Sequence, residues 1–466
     1  MRVLFATAEL SPVATVGGLA AAAAGLVAEL RRSGVEVDLV MPDYGGISLV
    51  DETTFALDVP DWVGAATVRR GHQPDVGALT TISIPGLARS HPYLQPNGEG
   101  WPDNDQRFFG FARAVAAYCE HVAPDVLHLN DWHTGPALAA LHAPPPTVLS
   151  IHNLAYQGVA DGGWLGLIGP RAGHYEWWGG TNPLSGAMAL ADRIVAVSPT
   201  YAEEIRTPAG GFGLDGPLRH RGDAVIGILN GIDTDVWNPA TDPHIAANFD
   251  ARTLDAKEAN RLALLGRFGW PDDEVPLATV VTRLTEQKGI DLLVPVLALL
   301  DQIPLRLAVL GSGDAALAAQ LRAAGTAHPD WFTFVEGYDE ALSHLMFAGA
   351  DLFVMPSRFE PCGLTQMQAM RYATVPVVTA VGGLVDTVPD ADESADGLGF
   401  VAARPTSVHV LAALFRACRR VSKKRRRLAL QKRMASIDWS WAAPAGEYEE
   451  LYRSLVVSDE LPAVTP

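Results

Sequence analysis

A chain of 466 residues is too long for one hydrophobic core, and two domains of about 200 residues each are the natural expectation. A formal charge of -18 argues against a nucleic-acid partner. Three widely spaced cysteines, Cys119, Cys362 and Cys418, argue against a disulfide framework and for a reducing, cytoplasmic setting.

In chain order, Met1 to Thr7 is expected to form a strand directly rather than a signal peptide. Gly17-Gly18 makes a turn, and Leu19 to Arg32 reads as a helix. Its Ala-rich start soon meets Glu29, Arg31 and Arg32, so it is not a membrane span. Val37 to Met41, Val126 to Leu129, Thr147 to Ile151, Ile194 to Val197 and Ala224 to Leu229 are the next strands. The second half repeats the pattern with Ala278 to Val281, Leu307 to Leu310, Phe332 to Val335, Leu352 to Met355 and Val375 to Val378. Strands rich in Val, Ile and Leu without alternation indicate parallel sheets covered on both faces. The polar segment Asn238 to Pro243 separates the halves. The expected division is an α/β chain with one doubly wound domain over 1–238, a second over 239–436 and a closing helical segment over 437–466. Facing domains of this kind place their strand ends at a shared cleft. The basic run Lys423 to Arg427 falls in a helical segment and reads as a solvated face.

The most informative string is Met355 to Gln366. An apolar strand runs into a turn carrying Glu360, and Gly363 precedes a helix start, so the amides around Cys362, Gly363, Leu364 and Thr365 can meet ligand oxygens. Arg283 and Lys288 flank the turn after another strand, with Gly289 at its far side. Two cations there suit a diphosphate leaving group, because they stabilise the negative charge that grows on it. The Gly17-Gly18 turn lets backbone approach a phosphate. His133 ends the Asp131-Trp132-His133 strand end and is the preferred polar contact to substrate. His152 to Gly158, including Asn153, closes the next strand in the same manner. His128, Asp131 and His133 lack a convincing metal geometry. Two Asp-x-Asp pairs, Asp233/Asp235 and Asp390/Asp392, do not adjoin the cationic turn. No metal and no cofactor are expected.

Together these strings resemble the glycogen/starch synthase family of retaining glycosyltransferases over nearly the whole chain. They include Gly17-Gly18-Leu19, Asp131-Trp132-His133, His152 to Gly158, Asn230 to Asp233, Arg283 to Gly289, Ser357 to Gln366, Gly382-Gly383-Leu384 and Asp438 through Tyr452. The resemblance implies the GT-B fold, two facing Rossmann-like domains with a ligand cleft between them. The last helix would cross back onto the first domain. It also implies transfer of glucose from a nucleoside diphosphate to an α-1,4-glucan. His133, Arg283, Lys288 and Glu360 would carry the chemistry. Gly17, Gly18, Asn153, Tyr338, Cys362, Gly363, Leu364 and Thr365 would bind the donor, with Tyr338 stacking on the base.

The chain departs from the family at Thr15, Ala21, Ser185, Ala209 and Thr379, where charged residues are expected. The second-domain phosphate set is intact. This asymmetry suggests altered acceptor or donor-sugar specificity. Two alternatives are a pseudoglycosyltransferase joining a nucleotide-activated cyclitol to an amino sugar or small oligosaccharide, and a silent sugar-binding paralogue. The partners are therefore a nucleotide-activated sugar or cyclitol donor and an oligosaccharide, amino sugar or glucan acceptor, with no nucleic acid and no membrane. The base (ADP, GDP or UDP), the O- or N-linked product and the oligomeric state stay open at this level.

Overall fold

The apolar run after Met1 becomes β1 (Arg2–Ala6), in a computed structural model that describes residues 1–459. Two units result: Met1–Gly231 with Trp441–Pro466, and Ile232–Ser440. Of the expected closing segment, residues 460–466 lie outside the described residues.

The first unit holds β1, β2 (Glu36–Pro42), β3 (Val50–Leu57), β4 (Ala66–Gln73), β5 (Gly77–Ser83), β6 (Val126–Asn130) and β7 (Thr147–Ile151). A three-stranded excursion follows, β8 (Ala160–Asp161), β9 (Glu176–Trp177) and β10 (Gly180–Thr181), then β11 (Arg193–Ala196) and β12 (Val225–Gly227). The main sheet has nine strands in the order β12-β11-β7-β6-β1-β2-β5-β4-β3. From β12 to β5 neighbours are parallel, and β4 runs antiparallel to both β5 and β3. The purely parallel sheet expected from the sequence is thus corrected to a mixed one. β3 and β4 have open faces filled with Thr, Arg, Glu and His, so they lack the continuous apolar run that marks a doubly covered strand.

On one face of this sheet the helix Gly18–Arg32 packs beside the helix Ala442–Asp459. Leu26, Val27 and Leu30 share a core with Val3, Phe5, Leu39, Trp441, Tyr448 and Tyr452. The last helix is also tied by polar contacts: Tyr452 Oη lies 2.6 Å from His128 Nδ1, and His128 Nε2 lies 2.8 Å from Ser150 Oγ. Burial holds His128 down to about 3, so this internal imidazole is neutral.

The second unit contains β13 (Leu277–Leu284), β14 (Arg306–Gly313), β15 (Phe332–Glu336), β16 (Leu352–Met355), β17 (Val375–Thr379) and β18 (Phe400–Ala402). Its sheet is parallel throughout, in the order β15-β14-β13-β16-β17-β18. That is the doubly wound 3-2-1-4-5-6 order, which reverses between β13 and β16. In the first unit the corresponding reversal falls between β1 and β6.

The segment Asn238 to Pro243 is bound into the second unit. The Phe249 amide donates to the Pro239 carbonyl at 2.9 Å, and buried Asp242 meets His344 Nδ1 at 2.7 Å and the Tyr372 hydroxyl. Trp237 stacks on His344 at 4.2 Å.

Candidate active site

In an open parallel sheet the ligand crevice lies beyond the carboxyl ends of the strands, where the winding reverses. In the second unit that point is flanked by the loops after β13 and β16. The first carries Arg283 and Lys288, and the second carries Glu360. Lys288 Nζ meets Glu360 Oε2 at 2.6 Å, and Ser357 Oγ donates to the same oxygen at 3.0 Å. Glu360 is buried and Lys288 half-buried. The two loops also join through backbone: the Arg358 amide donates to the Gln287 carbonyl at 2.8 Å. Thr379 Oγ1 donates to the Ser357 carbonyl at 2.5 Å and pins the loop from β17. Arg283 is exposed at the end of β13.

Gly289 explains why the cationic turn can press against the Glu360 loop. It has φ +66°, and an added Cβ would stand 1.9 Å from the Pro356 carbonyl oxygen. Neither feature suits an L side chain. Gly363 likewise has φ +74°. Gln366 Nε2 donates to the Gly363 carbonyl at 2.7 Å and to Thr387 Oγ1 at 3.1 Å, which fixes the loop through Cys362 and Leu364. Cys362 is buried, and Thr365 opens the short helix Thr365–Arg371. Tyr338 follows β15 and is 75% exposed, so its ring face is open to a planar partner.

In the first unit the loops after β1, β6 and β7 hold the predicted residues. Gly17 departs from its expected role. The amides of Val16 and Gly17 both donate to Glu9 Oε2, at 3.0 and 2.7 Å, while the Tyr93 hydroxyl donates to Glu9 Oε1 at 2.8 Å. These two amides are therefore occupied by an internal carboxylate, and only Gly18 remains of the pair, at the first position of its helix. His133 is buried among Trp132, Phe108 and Tyr93, with ring centroids 4.2, 4.7 and 5.0 Å away. Burial holds it neutral, at about 3, and its Nδ1 is buried without a hydrogen-bond partner.

The strand ends also carry Asp131, His152 and Asn153, which the sequence singles out, and Asn130, which it does not. Asp131 is buried with φ +54°, unusual for a residue with a side chain. Its Oδ1 accepts the His152 amide at 2.7 Å. His152 Nε2 lies 2.9 Å from Asn130 Oδ1, and burial holds this imidazole to about 4. Asn153 turns back on its own loop, its Oδ1 accepting the Ala155 amide at 3.1 Å. The hint in the sequence was a carboxylate directly after an apolar strand, paired with a second polar strand end.

The two Asp-x-Asp pairs have local partners. Asp233 Oδ1 accepts the amides of Asp235 and Val236. Asp390 and Asp392 face Arg416, and Asp392 also meets Arg420. Among the described residues no group of three or more His, Cys, Asp or Glu side chains is placed to hold a metal ion.

The starch synthase catalytic domain family matches residues 2–220, and the glycosyl transferases group 1 family matches residues 268–433. The chain is 42% identical to a glycogen synthase of Acidiphilium cryptum, covering 98% of this chain and 99% of the relative. It is 43% identical to one from Methylocella silvestris over the same shares. The chain belongs to the glycogen/starch synthase family. Among solved structures, the catalytic domain of starch synthase IV from Arabidopsis thaliana, bound to ADP and acarbose, matches with a TM-score of 0.88 and 33% identity, covering 98% of this chain and 99% of that one. Sucrose-phosphate synthase from Thermosynechococcus elongatus, at 19% identity and a TM-score of 0.63 over 98% and 99% of the two chains, shares the fold.

This chain is therefore a GT-B enzyme, a glycogen-synthase-like glycosyltransferase dependent on a nucleotide sugar. No helix among the described residues is long and apolar enough to cross a membrane. Its departures from the family pattern have plain surroundings. Thr15, Ala21 and Ala209 are exposed, Ser185 is buried at the start of the helix Pro183–Leu190, and Thr379 ties down the Glu360 loop.

Two expectations arise from this geometry. Gly289→Ala will force the turn away from Pro356 and separate Lys288 from Glu360; steady-state assays should show a loss of about tenfold or more in kcat, the scale of misplacing a positioned group. The second concerns pH. Burial pushes the Asp131 carboxyl up to about 7, against the pull of the His152 and Asn153 amides. An unfolded carboxyl titrates near 4. Between these values the native state holds more protons, so this group's contribution to stability falls as pH rises through the window. Melting temperatures at pH 5 and 8 should therefore drop less for Asp131→Asn than for the parent.

Proposed function

We propose that this enzyme moves a glucosyl unit from a nucleoside-diphosphate glucose to the end of an α-glucan with retained configuration. The observation that carries the reading is the Lys288–Glu360 contact at the winding reversal of the second sheet, beside exposed Arg283. In this reading Arg283 and Lys288 bind the diphosphate and stabilise the charge that develops as the bond to the sugar breaks. Glu360 orients Lys288 and takes donor-sugar hydroxyls. The amides from Cys362 to Thr365 assist, and the Tyr338 ring stacks on the base. His133 and Asn153 are further candidate substrate contacts. In this reading the acceptor hydroxyl attacks the same face that the diphosphate leaves, and a leaving-group oxygen takes its proton.

ADP is the favoured nucleotide, since the Arabidopsis starch synthase IV catalytic domain is described as bound to it. Full-length relatives are named glycogen synthases, which favours a glucan acceptor. The altered-specificity, cyclitol and silent-paralogue readings draw no support from them, and the intact Lys288–Glu360 pair speaks against silence. Fixed cations also make a divalent ion unnecessary for the leaving group. The test is a donor panel of ADP-, UDP- and GDP-glucose with glycogen, run with and without EDTA. The expected outcome is EDTA-insensitive chain extension, fastest from ADP-glucose. Activity restored only by Mg²⁺ or Mn²⁺ would remove the metal-free assignment, and absence of transfer from all three donors would remove the function.

A further inference from the structure

The first sheet borders a polar cavity at the opposite edge from Asp131 and His152. β2 and β5 pair only through Val40, Met41 and Pro42 with Thr80, Thr81 and Ile82. Before that the strands diverge, and the fork encloses a cavity of about 310 Å³ lined by Arg2, Arg31, Glu36, Asp38, Arg70 and Thr80 among others. Arg2 and Glu36 open β1 and β2, so this is the amino-terminal edge of the parallel strands.

The donors in this cavity are unequally occupied. Arg31 crosses the fork, donating to the carbonyls of Val37, Val76 and Ala78 at 2.6 to 3.3 Å. It adds a positive charge to the wall and holds the fork's shape. Arg2 uses one nitrogen on the Val122 carbonyl at 2.9 Å, while its Nε is buried with no hydrogen-bond partner. Arg2 and Arg70 each approach Asp38 Oδ2 at 3.6 Å, too far for a hydrogen bond. Asp38 is held from behind by the hydroxyls of Thr80 at 2.9 Å and Tyr118 at 2.7 Å. Glu36 sits at the rim with its side chain 74% exposed and approaches Arg2 Nε at 3.6 Å, an ion pair but no hydrogen bond. The cavity therefore sets three guanidinium groups against one buried and one rim carboxylate, with hydrogen-bond donors of Arg2 and Arg70 left over.

We propose that this fork is a binding site for a small phosphate monoester, separate from the catalytic strand ends. A phosphate between Arg2 and Arg70 would complete their hydrogen bonding, as guanidinium groups do best with planar pairs of oxygens. The cavity has room for an attached monosaccharide, whose hydroxyls can use Thr80 and the remaining lone pairs of Asp38.

Titration calorimetry of the full chain in phosphate-free buffer tests this, with glucose 1-phosphate and inorganic phosphate as probes and saturating ADP present to fill the nucleotide site. Both probes should bind, glucose 1-phosphate more tightly if the sugar part is held. Arg70→Gln, a change on a half-exposed β4 side chain, should weaken binding by about tenfold or more, and Arg70→Lys should weaken it less. Arg70→Gln should leave transferase activity without the probe unchanged, which shows that the variant is folded. Failure of both probes to bind would overturn the proposal. So would binding indifferent to Arg70, or an Arg70-dependent affinity for uncharged maltose equal to that for the phosphates.

Discussion

Lys288→Ala is expected to lower turnover by about 100-fold or more, the scale of losing one preorganised group that meets charge in the transition state. Two effects combine. The diphosphate loses a cation, and Glu360, buried and 2.6 Å from Lys288 Nζ, loses its counter-charge. A buried carboxylate without a partner takes up a proton or turns away. Glu360→Gln should therefore be impaired as well, while keeping a better-ordered loop through Ser357. Arg283→Ala should match the loss at Lys288. Because Arg283 is exposed and Lys288 is not, only the latter substitution should also lower the melting temperature. Near-normal turnover in both cation variants would remove the diphosphate assignment.

Asp351→Ala should cost the second unit about 3–5 kcal/mol, the range for breaking a buried ion pair by removing one partner. Asp351 has 6% of its side chain exposed and holds Arg261 at 2.6 Å and Arg427 at 2.9 Å. It also accepts the Leu277 amide at 3.0 Å, where β13 begins. Removing it takes the counter-charge from two cations and the acceptor from a strand amide at the base of the central strands, leaving Arg261 only the carbonyls of Asp273 and Val275. Arg427 belongs to the basic run that reads as a solvated face, and the rest of that run, Lys423 to Arg426, is indeed exposed. Urea unfolding followed by fluorescence is the measurement. A midpoint shift within about 0.5 kcal/mol, the scale of a neutral surface change, would contradict it.

The legible parts of this molecule were those whose information is local. Unbroken apolar strands gave both parallel cores. The loops carrying Arg283, Lys288 and Glu360 were readable because each joins a strand end, a charge and a glycine within a few residues. What escaped depends on contacts between distant positions. Asp242 meets His344 and Tyr372 across 102 and 130 positions, so a polar linker in the sequence is a buried anchor in the fold. Glu9 occupies the amides of Val16 and Gly17 because a loop folds back on itself, which no spacing rule announces. The enclosure of His133 by Trp132, Phe108 and Tyr93 is likewise invisible to a local pattern. β3 and β4 were missed because a solvent-facing edge has no need of an apolar run.

The most direct test follows the anomeric carbon of the donor. Incubating the enzyme with ¹³C-labelled ADP-glucose and a glycogen primer, and recording NMR spectra as transfer proceeds, reports both the acceptor and the stereochemistry. The account predicts new α-1,4 linkages from the first time points, with the signal abolished by Lys288→Ala. Label appearing in β-linked product, or remaining in the donor while ADP-glucose is bound, would contradict it.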